Sequence, residues 1–130
     1  MKRSRGGPPK ARWTVDAYET DGGDSPVWSF IRGLEGRERV EAVALVKLLE
    51  EQGNMLRRPQ SGALGDGLFE LRGKEVRVFY VFMPGRAIVL LDGEIKKSDA
   101  IPKRTLDRMR SLQADVMRRA AARGGQGRDR

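Results

Sequence analysis

Residues 68–97, LFELRGKEVRVFYVFMPGRAIVLLDGEIKK, constrain the fold more than any other part of the chain, because they spell out a β-meander. Gly73-Lys74 separates two strand-like runs by two residues, the spacing of a tight hairpin with glycine at its first central position. Pro84-Gly85 is a second turn signal. The runs VRVFYVF and AIVLLDGEI are rich in β-branched and aromatic residues, which suit a pleated, half-buried surface. Strand alternation groups Val76, Val78, Tyr80 and Phe82 on one face and puts Arg77 on the other.

The flanking segments supply the layer that covers such a sheet. Residues 11–18 alternate and predict a first strand with Trp13, Val15 and Ala17 on one side. Ser25-Pro26 has the form of an N-cap followed by proline at the first helical position. It predicts a short helix that turns Val27, Phe30, Ile31 and Leu34 inward. A second helix is expected over residues 37–52, where Val40, Val43, Ala44 and Leu48 recur at helical spacing before the Gly53-Asn54 stop. Residues 54–67 have three glycines, a proline and no period, and read as a loop. From Pro102 onward, Leu106, Met109, Leu112 and Val116 form the stripe of an amphipathic helix. The expected class is α+β, a small antiparallel sheet with two N-terminal helices packed on it and a C-terminal helix, in the order β-α-α-β-β-β-α. Trp13, Trp28, Phe30 and Leu48 are expected in its core.

One domain is what 130 residues can build. With no cysteine there is no disulfide framework or thiolate metal site, and with no histidine the commonest general base and metal ligand are missing. Neither a metal nor an organic cofactor is expected. No apolar run approaches the roughly 20 residues of a membrane span, and MKRSRGGPPKAR lacks the apolar segment of a secretory signal, so a cytoplasmic location without membrane contact is expected.

The net charge of +8 is unevenly spread. Residues 1–12 carry five positive and no negative side chains, and residues 118–130 carry five positive and one negative. The body between them is nearly neutral. Within it, residues 13–67 hold six basic and ten acidic groups, and residues 68–117 hold ten and seven. The expected layout is a basic disordered tail at residues 1–10, a domain at 11–118 and a second such tail at 119–130. Arginine-rich tails of this kind either bind nucleic acid by counterion release or serve as solubilising extensions.

The pattern L-x-D-G-L-F-E-L-R, then V-R-V-F-Y, then I-V-L-L-D-G-x-I-K-K-S-D-x-x-P-K-R, together with the element order, resembles the RelE/HigB superfamily of toxins, especially its phage-derived HigB branch. The resemblance implies a metal-independent, ribosome-dependent messenger-RNA endonuclease. It also implies neutralisation by a cognate antitoxin, often of helix-turn-helix type. By the same resemblance Arg77 matches the arginine of an R-x-x-Y signature, a phosphate-binding and catalytic position. Lys97, with Lys96 beside it, falls near the basic residue that assists cleavage after the last strand. Arg72 matches a retained arginine that is structural or RNA-contacting, and Lys74, Lys103 and Arg104 complete the expected RNA-binding set. Tyr80 matches a tyrosine that is expected to pack. The chain departs from the pattern at Leu68 and Glu70, where relatives carry lysines, and at Asp92, where many carry histidine.

RNA cleavage without a metal needs the 2′-hydroxyl deprotonated, the phosphorane charge-stabilised and the leaving oxygen neutralised. In a chain without histidine the charge term must dominate, and a cluster of Arg77, Lys96 and Lys97 is the expected source. Two other readings share the fold: a non-enzymatic inhibitor resembling the gyrase-poisoning ParE toxins, and a phage-derived nucleic-acid-binding accessory protein.

Overall fold

The computed structural model describes residues 12–128. Its element order is β1 (Thr14–Ala17), α1 (Pro26–Gly33), α2 (Gly36–Gln52), a 3-10 turn (Gly53–Met55), β2 (Ser61–Gly65), β3 (Leu68–Arg72), β4 (Val76–Met83), β5 (Ala87–Ile95) and α3 (Lys103–Arg128). The five strands form one sheet in the order β1-β5-β4-β3-β2. All neighbours are antiparallel except β1, which runs parallel to β5. The α+β architecture thus stands, with one strand more than the sequence led us to expect.

That strand, β2, lies in the segment read as a loop. It has no β-branched residue, and its pairing with β3 holds it extended. The signal for it is the Asp66-Gly67 dipeptide between Leu64 and Leu68. Both turn residues have positive φ, 52° and 83°, as a two-residue hairpin of this type requires.

The next hairpin also differs in detail. Gly73 pairs with Val76 through its N–H, so Lys74 and Glu75 occupy the bend and Gly73 precedes it. The glycine is needed there for space. A Cβ at residue 73 would come within 2.4 Å of the Glu41 carboxylate.

Apolar cores lie on both faces of the sheet. Val76, Val78, Tyr80, Ile88 and Leu90 meet Val27, Ile31, Ala42, Leu45 and Leu49 from α1 and α2. Leu68, Phe79, Val81 and Leu91 meet Met109 and Val116 from α3. The β4 alternation is as expected. Opposite it, a register shift on β5 puts Leu91 and Asp92 on the same, α3-facing side, as a bulge does.

Ser25 caps α1 by accepting from the Trp28 N–H, and Pro26 opens the helix. Val27, Ile31 and Leu34 are buried as expected, but Trp28 is exposed, because those three residues claim the inward stripe. On α2 the buried stripe is Ala42, Leu45 and Leu49, and Val40 and Val43 point outward at 68% and 51% exposure. The helix has two apolar stripes, and the one with two leucines has more area to bury. Helix α3 continues past residue 118 to Arg128, where a disordered tail was expected, since Ala120, Ala121 and Ala122 propagate it. The tail expected at residues 1–10 lies outside the described residues.

Among the described residues no helix is long and apolar enough to cross a membrane. Tyr80 donates to or accepts from Ser61 at 2.8 Å and stacks on Phe69. Burial raises its pKa above the usual tyrosine value, in keeping with a packing role.

Candidate functional site

The charged residues of the meander meet where the β3–β4 hairpin and the end of β5 come together. Cross-strand register sets Arg77 opposite Arg72 on one side and Glu94 on the other. Arg77 is 1% exposed. Its Nη1 donates to Glu94 Oε2 at 2.6 Å, and its Nη2 donates to the Ser98 and Ala100 carbonyls at 2.6 and 3.2 Å. Its Nε lies 3.5 Å from Glu70 Oε1, and these two buried atoms face each other without hydrogen-bond geometry. Glu94 also accepts from the Thr105 hydroxyl in the first turn of α3.

In this arrangement Arg77 is a buried ion-pair residue. An arginine open to a scissile phosphate would present free N–H groups at a surface. Here the guanidinium lies beneath α3 and fastens residues 98–105 to the sheet centre. Set in an apolar strand, it is a buried charge that needs carboxylate partners.

Arg72 sits beside it with Nε 3.6 Å from Glu70 Oε2, so one nearly buried carboxylate lies between two guanidinium groups. Asp92, where many relatives carry histidine, is engaged by Arg108 and by the Gly93 N–H.

A groove of about 630 Å³ opens between α2 and the hairpin. Arg72, Gly73, Lys74 and Lys96 line it from the sheet, and Glu41, Leu45 and Leu48 from α2. Lys96 Nζ donates to the Gly73 carbonyl at 3.0 Å, which draws the end of β5 against the hairpin. Glu41 accepts three backbone N–H groups, from Lys74, Glu75 and Val76, at 2.7, 2.8 and 3.0 Å. The hairpin is thus fixed to α2 by a carboxylate held in a nest of amides.

The structure therefore brings together Arg72, Lys74 and Lys96 and separates them from the other expected cations. Lys97 is exposed beyond the end of β5. Lys103 is exposed and donates to Asp107 at 2.8 Å, a bond that raises its pKa, and Arg104 is exposed on the first turn of α3. None of these three lines the groove.

Sequence reasoning overlooked Glu41, the carboxylate that orders the hairpin. It stands on α2 among other charged residues, and nothing local marks it. Glu94 comes opposite Arg77 only through the bulge on β5, since uninterrupted pairing of β4 with β5 across the Pro84-Gly85 turn would set Gly93 there.

Chemically, the groove offers positive charge around an apolar floor. Its one lining carboxylate is occupied by amides, so the groove is equipped to hold a phosphate and lacks a free carboxylate base.

A family model described as Phage derived protein Gp49-like matches residues 29–113, a span that holds the hairpin, the groove and the Arg77 network. No curated protein matches the chain. With that match covering most of the chain, and with a five-stranded sheet of RelE-like layout beneath it, the chain belongs to the phage-derived Gp49-like family, a RelE toxin-like family.

Proposed function

We propose that the chain is the toxin of a type II toxin–antitoxin system, that it acts on messenger RNA at the ribosome, and that Arg72, Lys74 and Lys96 hold RNA phosphates at the hairpin. The observation that carries this reading is the convergence of those three cations on one groove in a RelE toxin-like family. Arg77 is a positioning residue in this reading, because it sets the end of β5 from which Lys96 projects. Rate enhancement of cleavage then comes from stabilising charge on the phosphorane. A cognate antitoxin with a helix-turn-helix domain is the expected neutralising partner.

Expression of the chain without an antitoxin in a bacterial host tests the proposal. Growth should arrest within a few generations and transcripts should accumulate as fragments. Normal growth at high expression would remove the toxin assignment.

A second reading draws on the burial of Arg77 and the occupation of Glu41, which leave the groove without a free carboxylate base. It makes the chain a non-enzymatic inhibitor of the ParE kind. Arrest with intact transcripts and damaged DNA is its signature.

A further inference from the structure

We propose that a second concavity, at the aromatic end of the helix-covered sheet face, is a nucleobase pocket that takes one nucleotide of a single-stranded RNA. The inference rests on the RNA reading above and extends it to a site on the other side of Pro59 and Gln60. The pocket has a volume of about 550 Å³ and is walled by β2 and by the loop that follows α2. Its floor is Phe69 and Phe82, half-buried rings 5.1 Å apart at 75°, and Arg57, Arg58 and Ser61 border it.

Three features commit it to a nucleotide. First, a base has flat apolar faces, and α1 and α2 do not fully cover these two rings. Stacking on such a platform is sequence-tolerant. Second, the pocket edge is polar: exposed Asn54 offers an amide to the hydrogen-bonding rim of a base, beside the buried Ser61 hydroxyl that is bonded to Tyr80. Third, the charge is positive where the surrounding sequence is acidic. Residues 53–65 hold Arg57 and Arg58 and no carboxylate, although residues 13–67 as a whole have more acidic than basic groups.

Arg57 uses one Nη on the Asn54 carbonyl at 2.8 Å, and Arg58 is exposed without an ion-pair partner among the described residues. Guanidinium groups at the mouth of an aromatic slot match the 5′ side of a nucleotide, with the phosphate outside and the base within. The cationic groove is lined by Pro59 and Gln60, the residues between Arg58 and Ser61, so one RNA strand can pass from one concavity to the other.

The test uses the full chain carrying Trp28→Phe, which leaves Trp13 as the only tryptophan. Trp13 lies 5.3 Å from Phe82, so its fluorescence reports on the pocket. Adenosine 5′-monophosphate and a short single-stranded oligoribonucleotide are titrated separately. Both should change the emission saturably, the oligonucleotide at lower concentration.

Two variants probe the two halves of the site. Arg58→Glu removes charge at an exposed position, and Ala63→Leu fills the mouth beside its cross-strand neighbour Phe69. Each should weaken binding by about tenfold or more. Arg32→Glu, the same charge change on exposed α1, should not. Equal binding in both pocket variants, or no saturable change with either probe, overturns the pocket. Growth arrest and transcript integrity are scored in parallel. A non-toxic chain that still binds in this pattern leaves the pocket standing and removes the toxin. A toxic chain whose pocket variants bind normally does the reverse.

Discussion

Arg77→Ala should cost the fold about 3–5 kcal/mol, the range for removing one partner of a buried ion pair. Against a total stability of about 5–15 kcal/mol, that is enough to leave part of the population unfolded at 37 °C. The reason is local and cumulative. Glu70 and Glu94 both lose their shared cation, with side chains only 8% and 21% exposed. The carbonyls of Ser98 and Ala100 lose their donor, so the segment leading into α3 loses its tie to β4.

Thermal unfolding should show a midpoint lower by roughly 10–20 °C, from a few degrees per kcal/mol in a domain of this size. Replacing the whole charged group together, Arg77→Met with Glu70→Gln and Glu94→Gln, should recover much of the loss, because no charge is left buried alone. An Arg77→Ala protein that melts like the parent yet is no longer toxic would return Arg77 to the chemistry.

Glu41→Ala should be the second largest effect, at about 2 kcal/mol. Hydrogen bonds to a charged acceptor contribute roughly 1.5–3 kcal/mol each. Water can replace the carboxylate at the exposed Lys74 and Glu75 amides and less readily at the partly buried Val76 amide. The hairpin should loosen, and amide exchange at residues 74–76 should quicken well beyond that of β4. Gly73→Ala attacks the same contact from the other side, because its Cβ would overlap the Glu41 carboxyl. The two changes should therefore be non-additive, with the double variant costing clearly less than the sum. Additive costs would show that the glycine serves something other than that contact.

The parts of this architecture legible in the sequence were those with a period or a turn signature. The β4 alternation, the Ser25-Pro26 helix start and the α3 stripe of Met109 and Val116 each rest on local chemistry and appear where expected. Strand β2 went unread because its glycines and lack of β-branching hide a strand that only β3 holds in place. The rotation of α2 went unread because Val40 and Val43 mimic a core face, and only the sheet's position decides between the stripes.

The candidate site was legible as a set of cations but not as a geometry. Whether an arginine in an apolar strand is a ligand or a buried ion-pair partner depends on Glu70, Glu94 and the residue 98–100 loop. These come together only through cross-strand register and the packing of α3. The loss of Lys97, Lys103 and Arg104 from the groove has the same origin, since proximity in the chain does not fix direction in space.

The most direct test of the claim that the hairpin cations meet RNA is the salt dependence of binding to single-stranded RNA. Lys74→Ala combined with Lys96→Ala is compared with the parent, both confirmed as folded. If each lysine neutralises one phosphate, the slope of log affinity against log salt should fall in magnitude by about 1.4, at about 0.7 per single-strand contact. An unchanged slope and unchanged affinity in a folded double variant would contradict the account.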